Sequence, residues 1–71
     1  MTLKEFITTL STYDNPIEVI HRGKDNEWHT IKQYKNESQM WYDCFLPKSE
    51  ILFANKIQWF SVHGKTMRIC I

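Results

Sequence analysis

The 71-residue sequence has little of several residue types, and each shortage excludes a class of protein. It contains two cysteines, Cys44 and Cys70, which are too few for the disulfide framework of a small secreted domain and suit a reducing cytoplasm. Its two glycines, Gly23 and Gly64, are too far apart for a glycine-rich phosphate-binding loop. No apolar run approaches the roughly 18 residues that a membrane span needs, so no membrane partner is predicted.

The sequence also has no excess of charge of one sign. Nine lysines and arginines are balanced by eight aspartates and glutamates, which leaves a net charge of +1. Proteins that bind nucleic acid mainly through phosphates carry a basic surplus, so nucleic acid is only the alternative partner. Lys4 and Glu5 interrupt the apolar residues near the N-terminus, and we therefore expect no signal peptide and a cytoplasmic location.

Aromatic residues are abundant: the chain has three tryptophans, three tyrosines and four phenylalanines. A chain of this length forms one domain, residues 1–71, and buries only about 60% of its unfolded surface. Aromatic side chains contribute large buried areas to such a small core. Ten of them exceed what this core obviously needs, which predicts that some lie on a binding surface.

The N-terminal stretch "MTLKEFITTL" predicts a helix. Thr2 and Glu5 have the spacing of a capping box. The apolar residues recur at helical spacing, at Leu3, Phe6, Ile7 and Leu10. The segment "STYDNP" (11–16), with its turn-forming residues and proline, should end the helix.

The remaining chain predicts strands and one short helix. Two hairpins are indicated, the first from "IEVIH" (17–21) and "WHTIKQY" (28–34), the last from "KIQWFSV" and "TMRICI" around "HGK". Between them we predict a third strand, "MWYDCF" (40–45), and a helix in "PKSEILFAN" (47–55). The predicted order is α-β-β-β-α-β-β. This is a small α+β domain with an antiparallel sheet of four to five strands and the N-terminal helix on one face.

The last hairpin has an apolar and a mixed face if its loop is even in length. The apolar, core face holds Phe60, Val62, Met67, Ile69 and Ile71, and the other holds Ile57, Trp59, Ser61, Thr66, Arg68 and Cys70. On the mixed face, Trp59 and Arg68 could meet as a cation–π pair, which is an exposed pairing that interfaces favour. The alternative is that the first helix or another strand covers Trp59.

Strand alternation in residues 40–45 places Trp41, Asp43 and Phe45 on one face and Met40, Tyr42 and Cys44 on the other. Asp43 marks the Trp41 face as the one nearer water, which favours Trp41 over Tyr42 as an interface residue. If Asp43 is buried, it needs a partner, either Arg68 or a tyrosine hydroxyl.

Candidate metal and catalytic residues are few. His21 and His29 flank the first hairpin loop, but a zinc site needs a third ligand, which would have to be Asp43 or Cys44 from another strand. A lone cysteine such as Cys44 among aromatics is typical of an inert core residue. We therefore predict no metal, no cofactor and no catalytic residue.

In outline the chain resembles small accessory proteins of phages and mobile elements of low-GC bacteria. The similar segments are "TLKEFITTL", "IEVIH", "LPKSEILFANKI" and the terminal "WFSVHGKTMRICI". The resemblance implies stoichiometric binding of a host protein, as in inhibitors of CRISPR and other defence systems. It transfers no catalytic residue.

We therefore predict a non-enzymatic protein-binding module that occludes a partner's surface, through an aromatic and basic patch or an added strand. The predicted partner-binding residues are Trp59, Arg68, Trp41 and Tyr42, with Trp28 in reserve. A second copy of the chain, forming a homodimer, would cover the same patch. The alternative function is binding of single-stranded nucleic acid, with Lys56 and Lys65 joining Trp59 and Arg68.

Overall fold

The computed structural model describes residues 1–10 and 13–71 and confirms the α+β fold with an N-terminal helix. Ser11 and Thr12, part of the predicted break after this helix, lie outside the described residues. The helices are α1 (Leu3–Thr9), α2 (Glu37–Cys44) and α3 (Glu50–Phe53), which follows a 3₁₀ turn at Pro47–Ser49. The strands are β1 (Ile17–Arg22), β2 (Trp28–Tyr34), β3 (Trp59–His63) and β4 (Thr66–Cys70).

The four strands form one sheet in the order β2-β1-β4-β3. Both predicted hairpins are present as antiparallel pairs, β1 with β2 and β3 with β4. They join through β1 and β4, which are parallel, so the sheet is mixed and not antiparallel throughout as predicted. The helices and strands between β1 and β4 supply the long crossover that a parallel pair requires.

The predicted third strand is wrong, because residues 37–44 form the helix α2. The Asn36 side chain caps this helix by accepting a hydrogen bond from the Gln39 backbone amide at 3.0 Å. Met40, Asp43 and Cys44 are its buried residues, at positions i, i+3 and i+4. This helical spacing, and not the alternation of a strand, decides which side chains face the core.

The hydrophobic core lies between the helices and one face of the sheet. As predicted, α1 begins with a Thr2–Glu5 capping box. The main core residues come from all three helices and three strands: Leu3, Phe6, Ile7, Ile17, Val19, Tyr34, Met40, Cys44, Phe53, Met67 and Ile69. Helices therefore cover only this inner face of the sheet.

The two faces predicted for the last hairpin are confirmed by its register. Phe60 pairs with Ile69, and Val62 pairs with Met67, on the core side. Phe60 and Val62 are nevertheless exposed, because β3 is an edge strand. The Phe60 ring lies 4.9 Å from that of Phe6, which links α1 to this edge.

Asp43 is a buried carboxylate at the centre of a small polar cluster. The Tyr34 hydroxyl donates to Asp43 Oδ2 at 2.5 Å, and the Ser49 hydroxyl donates to Oδ1 at 2.9 Å. A tyrosine hydroxyl is thus its partner, one of the two predicted, while the nearest cation is Lys32 at 4.0 Å instead of Arg68. Burial alone would raise the pKa of Asp43, but these hydrogen bonds, with Lys32 and Lys48 nearby, lower it.

Candidate functional site: the outer face of the sheet

The sheet face opposite the helices is called here the outer face. It carries the side chains of Glu18, Ile20, Arg22, Trp28, Thr30, Gln33, Trp59, Ser61, His63, Thr66, Arg68 and Cys70. Each strand contributes residues that alternate with those of the core, because successive side chains of a strand point to opposite faces. Two of the predicted partner-binding residues, Trp59 and Arg68, and the reserve residue Trp28 share this face.

An apolar row crosses the centre of the outer face. Thr30, Ile20, Cys70 and Trp59 are neighbours in register across the four strands. Ile20 and Cys70 are buried, although they lie outside the core cluster to which the described helices contribute. Tryptophan side chains from the two edge strands close over this row, so the outer face has a small apolar cluster of its own.

The two tryptophans that close this row meet each other. The rings of Trp28 and Trp59 lie 5.6 Å apart between centroids, at 82° to each other, an edge-to-face geometry that aromatic pairs favour. Trp28 remains 49% exposed and Trp59 41%. Neither the first helix nor another strand covers Trp59. It is an exposed residue whose ring packs against Trp28.

A polar row runs beside the apolar one. Gln33, Glu18, Arg68 and Ser61 are neighbours in register. Arg68 Nε donates to Glu18 Oε1 at 3.2 Å, and Gln33 Nε2 donates to Glu18 Oε2 at 2.9 Å. Glu18 therefore holds Arg68 in place across the parallel β1–β4 pair.

The cation–π pair predicted between Trp59 and Arg68 does not form. Trp59 lies opposite Cys70, the next residue after Arg68 on the same face of β4. The Arg68 side chain instead forms an ion pair with Glu18. The cation–π contact on this face is instead that of Arg22, whose guanidinium carbon lies 5.4 Å from the centroid of the Trp28 ring. The two arginines of the outer face therefore have different contacts: Arg22 stacks on an indole ring, and Arg68 binds a carboxylate.

A cleft of about 240 Å³ opens between the two rows. Its lining combines two indole rings, two charged side chains and three smaller groups: Glu18, Ile20, Trp28, Thr30, Trp59, His63 and Arg68. His63 is oriented by a hydrogen bond between its Nε2 and the Ser61 hydroxyl, 2.9 Å long. The cleft can therefore hold one or two side chains of a partner against both apolar and cationic groups.

Trp41 and Tyr42, also predicted to bind a partner, lie elsewhere. They belong to α2, in the helical layer on the other side of the sheet, where Trp41 packs edge-on against Phe45 with ring centroids 5.1 Å apart. Tyr42 is 72% exposed and more open than Trp41, contrary to the prediction from strand alternation. We call Trp41, Tyr42 and Phe45 the α2 patch.

The two histidines considered for a metal site occupy paired positions in β1 and β2 but interact with different groups. His21 Nδ1 lies 2.8 Å from the carbonyl oxygen of Ile71. His29 Nε2 lies 3.1 Å from both carboxylate oxygens of Asp25. The Glu27 backbone amide and then His29 lower the pKa of Asp25. Among residues 1–10 and 13–71, no three potential ligands cluster as a metal site would require.

Both cysteines have buried thiols. Burial raises the pKa of Cys44 and of Cys70, which disfavours the thiolate form that reacts as a nucleophile. Cys44 Sγ donates to the carbonyl oxygen of Trp41 within α2, and Cys70 lies in the apolar row. The two residues belong to opposite sides of the sheet.

Sequence reasoning missed Glu18, Gln33 and Arg22 as site residues. Alternation in β1 does place Glu18 opposite the apolar Ile17 and could have assigned it to the outer face. Its meeting with Arg68 depends on the parallel pairing of β1 and β4, for which the sequence carries no local signal. Neither Lys56 nor Lys65, the lysines of the predicted nucleic-acid platform, belongs to a strand of the sheet, and neither lines the cleft of the outer face.

No family model, curated protein or solved structure matches the chain at a significant level. In the part of the chain that the structure describes, no helix has the length and apolar character needed to cross a membrane.

Proposed function

We propose that the protein is a non-enzymatic protein-binding module and that the outer face is its binding surface. The observation that supports this proposal most directly is the exposed Trp28–Trp59 pair on a sheet face that no helix covers. Tryptophan and arginine are the residues most enriched at the energetic centres of interfaces. A partner that covers both indoles would remove much of their remaining apolar surface from water, at about 25 cal/mol per Å².

The resemblance to accessory proteins of phages and mobile elements refines the proposal. The partner would be a host protein, such as a component of a CRISPR or other defence system, and binding would occlude its working surface. A module of this kind acts stoichiometrically and needs no catalytic group. The buried thiols with raised pKa values, Cys44 and Cys70, fit that requirement.

Site-specific photo-crosslinking in the natural host tests the choice of surface. The photoreactive residue p-benzoylphenylalanine would replace Thr30 on the outer face and, as the matched control, Tyr42 on the α2 patch, which is also exposed. We expect one discrete adduct from position 30, and we expect Trp59→Ala in the same chain to abolish it. An adduct from position 42 alone would move the site to the α2 patch, and the absence of an adduct from either position would contradict the proposal.

A second copy of the chain is one partner that this experiment recognises by mass. Light scattering coupled to size-exclusion chromatography would then give a dimer for the wild type and a monomer for Trp59→Ala. A dimer that survives Trp59→Ala would use another surface, and the outer face would remain available to a different protein.

Binding of single-stranded nucleic acid is the second candidate, because exposed indoles beside arginines can stack bases. The structure offers Trp28, with Arg22 against it, and Trp59. Glu18 in the middle of the same face and the net charge of only +1 count against it. Fluorescence anisotropy with labelled oligo(dT) at physiological salt is the test, and a signal that Trp59→Ala removes would favour this candidate.

A further inference from the structure

The charged groups of the outer face are not equally available to a partner. Glu18 uses both carboxylate oxygens within the face, Oε1 for Arg68 and Oε2 for Gln33. Its side chain is only 19% exposed, whereas that of Arg68 is 49% exposed. A partner that approaches the cleft therefore meets the arginine more readily than the acid.

Arg68 is held by one of its five N–H groups. The bond to Glu18 uses Nε, and the two terminal nitrogens, Nη1 and Nη2, donate no hydrogen bond to any residue in the described ranges. Four N–H donors thus remain at the end of a side chain whose position is already set. This is the arrangement that binds a carboxylate with two parallel hydrogen bonds, because the guanidinium fork matches the two oxygens.

The surroundings of Arg68 add a second requirement. The cleft that Arg68 lines is also lined by the indoles of Trp28 and Trp59 and by Ile20. A ligand that only accepted hydrogen bonds from the guanidinium would leave these apolar groups exposed to water. The group that fits is a carboxylate with an apolar or aromatic side chain close to it in the chain.

We infer that the outer-face cleft recognises an acidic segment of a protein partner, with an aspartate or glutamate on Arg68 and a neighbouring apolar side chain against Trp28 and Trp59. This inference rests on the proposed function and names the chemistry of the partner. Charge complementarity supports this inference. The strands of the outer face carry two arginines, Arg22 and Arg68, and one acid, Glu18, which is paired with Arg68. One positive charge therefore remains in excess. Nucleic acid fits less well, because a phosphate chain needs several cations along its path, and the strands of this face supply two, Arg22 and Arg68.

The experiment is selection from a random peptide library displayed on phage, with the full-length protein immobilised. We expect the enriched peptides to share an acidic residue within two positions of an aromatic or aliphatic one. The selected peptides are then synthesised, each with a partner in which the acid is replaced by its amide. We expect the amide version to bind roughly tenfold more weakly, a loss of about 1.4 kcal/mol, because it removes the charged partner of the Arg68 guanidinium.

Variants of the protein locate the contact. Arg68→Gln should weaken binding of the acidic peptides roughly tenfold, so that they bind no more tightly than their amide versions. Arg68→Lys should restore part of the difference in affinity between the two versions. Tyr42→Ala, on the α2 patch, is the control and should change nothing. Because the amide peptides leave the protein untouched, the result holds even if an Arg68 variant is less stable.

Three results would overturn the inference. If binding of the selected peptides requires Trp59 but not their acidic residue, the acidic specificity is wrong and the outer face remains a binding surface. If no selected peptide depends on Trp28 or Trp59, both the inference and the proposed function fail. If oligo(dT) displaces the acidic peptides at equal concentration and physiological salt, nucleic acid is the better ligand for the cleft.

Discussion

Replacing Tyr34 by phenylalanine tests the buried cluster that joins α2 to the sheet. The Tyr34 ring is buried in the core, and its hydroxyl donates a 2.5 Å hydrogen bond to the buried Asp43 carboxylate. Tyr34→Phe keeps the ring and removes only this bond. A hydrogen bond to a charged group contributes about 1.5–3 kcal/mol, so we expect the free energy of unfolding to fall by about that amount. Since a domain of this size is stabilised by about 4–10 kcal/mol in total, the loss is large.

The loss should depend on pH in a defined direction. The pKa of Asp43 is lowered in the folded protein, so its ionised form contributes stability that is complete above the unfolded pKa of about 3.9. That contribution disappears as the pH falls through the lower, folded pKa. Tyr34→Phe removes one group that lowers this pKa. The difference between wild type and variant should therefore be greatest near neutral pH and shrink in acid.

Urea unfolding followed by far-ultraviolet circular dichroism, at several pH values between 3 and 7 or so, measures both effects. The matched control is Tyr42→Phe, because the Tyr42 hydroxyl is exposed and makes no hydrogen bond within the described residues. We expect the control to change stability by less than about 0.5 kcal/mol. An equal effect of the two substitutions, or a Tyr34→Phe loss that does not change with pH, would refute the role assigned to the cluster.

Three further predictions address other parts of the fold. In a Cys44→Ala background, Trp59→Ala should speed the reaction of the Cys70 thiol with Ellman's reagent, because Trp59 is its cross-strand neighbour on the outer face; an unchanged rate would mean that the indole does not shield it. Gly64 has φ +63° and open space around it, so Gly64→Ala should cost about 1–2 kcal/mol in urea unfolding and Gly64→Asn less; equal costs would contradict a purely conformational role. Met40→Ala, at a fully buried position of α2, should cost about 2–5 kcal/mol, and a loss below 1 kcal/mol or so would argue against this helix packing.

Some local features of the fold follow from the sequence without tertiary information. The Thr2–Glu5 capping box and the apolar spacing specify α1, because both depend on residues within two turns of each other. Period-two alternation and the turn at Gly64 specify the last hairpin and its two faces. Trp59 and Arg68 could thus be assigned to the outer face in advance.

The same kind of reasoning failed at residues 40–45 for a physical reason. "MWYDCF" is rich in aromatic residues that favour strands, yet the Asn36 cap precedes it, and Met40 and Cys44 have helical spacing. Short aromatic segments are compatible with either structure, and packing against the core decides between them. The error placed Trp41 and Tyr42 in the sheet, whereas the structure places them on the α2 patch.

The sequence by itself determined the α+β class, the first helix, the two hairpins and the placement of Trp59 and Arg68 on the same face of the last hairpin, since each depends on neighbours along the chain. It left open whether another element covers Trp59. The tertiary structure alone decided that the hairpins join through the parallel pair of β1 and β4. That pairing brings Glu18 to Arg68 across 50 positions of sequence and lets Trp28 meet Trp59. Long-range pairing depends on how whole faces bury one another, so no local pattern of residues reveals it in advance.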